Sequence, residues 1–257
     1  MVKKLAFLLT AETWWSSLVR ALVFVLLLAA IFIGWRAGFS WLVVPFFVLF
    51  STIVYFLLPQ ERKILRTSFW LLTILSIISM RLLEASPLQI FPLSVVVFVV
   101  ILFLGVMFSM ILGLVYFRFS ERFLVYDILN TAILVLIFLV FLPFGAPHFL
   151  GWVAPALFLV SALCFKEVFS FRGVKSRKGW LAAFVLGLIV IEISWFTLSL
   201  TIGIINSAAL LVLFSVSLRD LLTAHFRGRL TSTLIFRQFT FFVLLTVIIF
   251  AASTWTL

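Results

Sequence analysis

Long uncharged apolar stretches alternate with short gaps along this chain, and Lys and Arg crowd into every second gap. That alternation leaves few folds open. A helix needs about 20 mostly apolar residues to cross a hydrocarbon core of about 30 Å. Stretches of that kind lie at about 17–35, 41–58, 67–84, 91–117, 128–144, 149–165, 180–199, 202–218 and 239–257. The expected fold is therefore an all-α integral membrane protein. It is a bundle of about nine transmembrane helices, one polytopic domain over residues 1–257. The third stretch is the most interrupted, with Arg81 and Glu84 near its end, and the seventh and eighth are joined only by a tight turn at Thr201-Ile202-Gly203. Eight spans would require one weak stretch to lie in the interface.

Composition excludes a water-soluble alternative. Apolar residues make up 66% of the chain, charged residues 11%, and Phe alone occurs 33 times in 257 positions. A soluble domain keeps roughly a quarter of its residues charged. In lipid an apolar exterior is the normal state. The net charge of +11 is no nucleic-acid signature, because the basic residues flank apolar spans. There they meet anionic lipid headgroups at the cytoplasmic face.

Orientation follows from counting cations on each side. With the N-terminus inside, the inner set is Lys3, Lys4, Arg20, Arg62, Lys63, Arg66, Arg118, Arg122, Lys166, Arg172, Lys175, Arg177, Lys178, Arg219, Arg227, Arg229 and Arg237. Only Arg36 and Arg81 remain outside. A miscounted span would scramble this parity, so the segregation argues for nine spans, N-terminus cytoplasmic and C-terminus outside. Tryptophan agrees, since indole prefers headgroup depth: Trp14, Trp15, Trp70 and Trp180 fall near inner ends, and Trp35, Trp41, Trp152, Trp195 and Trp255 near outer ends.

Short connections leave no room for a soluble domain. The start, Met1 to Ala11, reads as an uncleaved segment on the membrane face, because Glu12-Thr13-Trp14-Trp15 stands where a cleavage site would need small residues. The longest gaps are 166–179 and 219–238. The second carries Leu221, Leu222, Phe226, Leu230, Leu234 and Ile235 among Arg227, Arg229 and Arg237, a pattern suited to a basic amphipathic helix on the inner surface. Lipid anchoring and docking of a protein partner at 219–238 are the two uses of such a helix. Cys164 stands alone, which rules out an internal disulfide or thiolate metal site and leaves a buried, inert thiol.

Ionisable residues within spans are costly, about 2.5–3.5 kcal/mol at mid-helix on insertion scales. Glu192, in Ile191-Glu192-Ile193-Ser194-Trp195, lies about 18 Å up its helix from Trp180, and Arg81 about 21 Å from Thr67, at a rise of 1.5 Å per residue. The two share a depth. Glu84 is on the same helix face as Arg81, and Asn206 enters the eighth span at a similar level. The spacing predicts that Arg81 and Glu192 pair, with Glu84 and Asn206 adjoining, to floor a ligand-binding polar cavity open to the outside. The competing account is structural: Arg81 snorkels along its own stem, and Glu192 is protonated and bonds a neighbouring helix.

Gly105, Ser109 and Gly113 form a small-residue stripe on the fourth span, suited to close internal helix packing. Pro45 and Pro155 are expected to bend the second and sixth spans. Catalytic motifs are missing: the chain has no His-Glu-x-x-His, Gly-x-Ser-x-Gly or P-loop, and nothing that implies a cofactor. His148 and His225 fall on opposite faces. Asp127 with Asn130, at the mouth of the fifth span, is the one pair resembling a magnesium–phosphate ligand set, and such a site needs more carboxylates.

Glu192-Ile193-Ser194-Trp195, Leu198-Ser199-Leu200 and His225-Phe226-Arg227-Gly228-Arg229-Leu230-Thr231 resemble multi-pass membrane proteins of candidate-phyla (Patescibacteria-type) bacteria. The resemblance covers about 50 residues and brings no activity or site residue. It implies a prokaryotic cytoplasmic membrane. Three functions are compatible with these features. The first is a non-enzymatic protein whose outward pocket binds or transports a small or lipidic ligand. The second is an assembly subunit of a membrane complex. The third is a transferase for a lipid-linked substrate using Asp127 or Glu192.

Overall fold

The computed structural model describes residues 14–58, 65–85, 93–116, 121–144, 149–200 and 202–253. Expectations for the N-terminal surface segment and for Arg62, Lys63, Arg118, His148 and Trp255 fall outside those residues. Among the described residues every regular element is helical. The α-helices are α1 (Trp14–Ala37), α2 (Ser40–Phe56), α3 (Arg66–Ala85), α4 (Leu93–Tyr116), α5 (Arg122–Phe141), α6 (Ala154–Phe171), α7 (Ser176–Ser199), α8 (Ile204–Phe226) and α9 (Ser232–Ala252). Eight are long and apolar enough to cross a membrane. The exception is α2, whose 17 residues reach only about 25 Å. A helix satisfies every backbone N–H and C=O within a single segment, which suits runs of about 20 apolar residues.

The chain divides into two compact units, Met1–Leu129 and Asn130–Leu257. In the first, α1 packs against α2, α3 and α4. Its core is aromatic: Phe24 stacks on Phe108 with ring centroids 4.1 Å apart, and Phe47 and Phe69 complete the cluster. The α1–α4 approach depends on Gly105, where an added Cβ would run into a γ-methyl of Val25. The small-residue stripe is thus used for internal packing, as expected. Ser109 returns its hydroxyl to the Gly105 carbonyl at 2.9 Å, which removes a stray polar group from that surface.

In the second unit α6 and α7 form the most extensive pair, and α8 packs against both α7 and α9. Gly187 fits α7 against Phe158 and Ala162 of α6. Gly173, Gly203 and Gly228 make the turns between these helices at φ of +77°, +77° and +65°, where a Cβ is strained. The last helix, α9, begins at a Thr231 cap whose hydroxyl accepts the Leu234 N–H, and none of its residues is buried.

Three sequence expectations change. The amphipathic surface helix at 219–238 does not exist as an element: α8 runs on through Phe226, and after a turn α9 starts at Ser232. The gap at 166–179 shrinks to a turn, since α6 continues to Phe171 and α7 begins at Ser176. A charged side chain raises the cost of lipid exposure but leaves the helical hydrogen-bond ladder intact, so a helix outlasts its apolar stretch. Pro155 lies in the first turn of α6 rather than its interior, directly after a π-helix at Phe149–Val153. Pro45 lies inside α2, as expected.

Candidate functional site

The four residues singled out by their depth are divided between the units. Arg81 and Glu84 lie on α3 in the first, and Arg81 is exposed. Glu192 and Asn206 lie in the second, on α7 and in the first turn of α8. Asn206 is half-buried, and its amide donates to the Ile202 carbonyl at 3.0 Å. Its polar group is therefore satisfied locally. Glu192 is exposed, in line with exposed Leu181, Phe184, Leu188, Trp195 and Phe196 along α7. Among the described residues no ion pair reaches it.

A different polar cluster occupies the interior of the second unit, between α5, α6 and α8. The Arg219 guanidinium, 2% exposed, donates through Nη1 to Asn130 Oδ1 at 2.8 Å and through Nε to Asp220 Oδ1 at 3.0 Å. The other end of the same amide, Asn130 Nδ2, donates to Cys164 Sγ at 2.9 Å. Asp220 also meets Arg172 at 3.6 Å, just past the end of α6. Thr223, one turn beyond Arg219, returns its hydroxyl to the Arg219 carbonyl. Glu167 lies buried one turn after Cys164.

Burying one guanidinium is costly unless its N–H groups and charge are answered. Here an amide and a carboxylate answer it, and the amide is held in turn by the sulfur. The result ties three helices together. It offers little for catalysis. Asn130 uses both ends of its amide internally, so it is unavailable as a ligand beside Asp127. The group that reaches Cys164 is an N–H donor, which cannot take a proton from the thiol. Among the described residues, no three His, Cys, Asp or Glu side chains converge where a metal ion could sit.

Sequence reading missed this cluster because it ended the spans too early. With the eighth span ended at 218, Arg219 fell among the inner cations, yet Ala208, Leu211, Ser215, Arg219 and Thr223 recur at helical spacing and are all buried. Extending that period past Leu218 would have turned Arg219 inward. Arg20 carries the same lesson: counted as a flanking cation, it is a fully buried side chain of α1 in the first unit.

Comparison with protein-family models, curated proteins and solved structures finds no match to this chain.

Proposed function

We propose that this chain is a non-enzymatic subunit of a membrane complex in the cell membrane, recognising its partner at membrane depth through Glu192. The accompanying topology is nine crossings, with the N-terminus cytoplasmic and the C-terminus outside. The observation that carries the reading is the exposure of Glu192 within the apolar outer stripe of α7. A carboxylate facing hydrocarbon is expensive. A partner helix bearing a basic or hydrogen-bond-donating side chain at that depth removes the cost. The buried Arg219–Asn130–Cys164 tie supports the same reading, because it stiffens the second unit without exposing reactive groups.

The test is site-specific photo-crosslinking in native membranes from Leu188, one turn from Glu192. A discrete protein adduct is expected in the unsubstituted chain, falling about tenfold with Glu192→Gln, the equivalent of about 1.4 kcal/mol. Adducts to lipid alone would refute the assembly reading. A second reading keeps an outward pocket for a small or lipidic ligand within the second unit, with Glu192 and Asn206 on its wall. It draws support from Glu192 and Asn206 lying near the joined ends of consecutive helices. In that case Glu192→Gln alters ligand binding or flux and leaves crosslinked assemblies unchanged.

Topology has its own expected result. Cys164 is buried, so single cysteines introduced elsewhere report on access. Lys175→Cys is expected to react with an impermeant thiol reagent only in inverted vesicles, and Arg36→Cys only in intact cells. Labelling of both from one side would refute the nine-span map.

A further inference from the structure

We infer that the second unit carries a defined site for an anionic phospholipid, where the α6–α7 turn meets the end of α8. A cavity of about 740 Å³ opens there, within the range of ligand sites. Its lining includes the cations Arg172, Lys175, Lys178 and Arg227, together with His225. No carboxylate is among the lining residues, and the Asp220 carboxylate that meets Arg172 stands outside the lining.

Arg172 already meets Asp220, and the basic side chains gathered around the cavity favour an anion in their midst. The apolar part of the lining selects among anions. Leu181 and Val185 continue up α7 from Lys178 at helical spacing, both exposed, with Leu222 facing the same space from α8. A free phosphate gains nothing from that part of the lining. A phospholipid sets its phosphate among the cations and an acyl chain along Leu181 and Val185. The cavity sits at the ends of three helices long enough to span a membrane, which is headgroup depth in either orientation. The site therefore stands independently of Glu192 and of the proposed topology.

Native mass spectrometry of the purified full chain in detergent tests it, with phosphatidylglycerol and phosphatidylcholine of identical acyl chains as probes. Phosphatidylglycerol is expected to bind roughly tenfold more tightly at the first site. The Lys175→Gln/Lys178→Gln variant is expected to lose that preference. Arg177→Gln, which removes a neighbouring cation that does not line the cavity, is expected to keep it. Equal affinity for the two lipids overturns the proposal without any variant. An equal loss in Arg177→Gln also overturns it, by showing a diffuse surface field. Displacement of the bound lipid by inorganic phosphate overturns the lipid assignment in favour of a soluble anion.

Discussion

Arg219→Met will destabilise the second unit by about 3 kcal/mol, the upper end of the cost of leaving a buried acceptor without its charged donor. Methionine fills similar volume, so the loss is electrostatic and hydrogen-bonded rather than a cavity effect. It strips Asn130 Oδ1 of its donor inside the α5–α6–α8 core and removes one of the two guanidinium groups on Asp220. Asp220 contributes the smaller part, since its side chain is 38% exposed and water and Arg172 remain available. Arg219→Lys will recover only part of the loss, because an ammonium does not reproduce the divergent Nε and Nη1 donors. The deciding variant is Arg219→Met/Asn130→Leu. Removing both partners leaves neither end of that bond orphaned, so the double variant should be more stable than Arg219→Met alone. Equilibrium unfolding in detergent measures the series. Simple additivity of the two single losses would show that the Arg219–Asn130 bond does not hold the core.

Gly187→Leu carries the next largest expected effect, at about 1–3 kcal/mol from overpacking. The Cβ alone would lie 3.0 and 3.1 Å from two ring carbons of Phe158 and 3.2 Å from Ala162 Cβ. Gly187→Ala thus requires a few tenths of an ångström of adjustment, and leucine has to part α6 from α7. The ring has little freedom to yield, because it also packs edge-on against Phe184 at 5.0 Å. Adding Ala162→Gly should return part of the loss by opening space on the α6 side. Thermal unfolding of the purified chain tests the order: unsubstituted above Gly187→Ala, and the leucine variant lowest. A leucine variant as stable as the alanine one would mean that the α6–α7 pair is not close-packed at this level.

Where the residues reveal the fold and where they conceal it follows from which energies are local. Span existence is local: each apolar run carries its own transfer energy, and α1, α3 and α4 end within a few residues of the expected 17–35, 67–84 and 91–117. The charged ends of α5, α6 and α8 are another matter. A hydropathy reading assigns a fixed cost to Arg219 in lipid and so stops the helix at Leu218. The real cost depends on Asn130, 89 positions away, and falls once that amide accepts from the guanidinium. Glu192 illustrates the same point from the other side. Its place along the helix was legible from Trp180 and the helical rise, but whether it turns inward or outward depends on which face of α7 meets α6 and α8.

The amino-acid sequence alone determined that this chain is an apolar helical bundle, because the energies that exclude water from its spans act residue by residue along each run. Only the tertiary structure decided which polar side chains are core and which are surface. It turned Arg20 and Arg219 inward, left Glu192 on the outer face of α7, and gathered Arg172, Lys175, Lys178 and Arg227 around one cavity. The reason is physical: the energy of a charge in a low-dielectric medium is set by the partner within a few ångströms, and for Arg219 that partner comes from distant sequence.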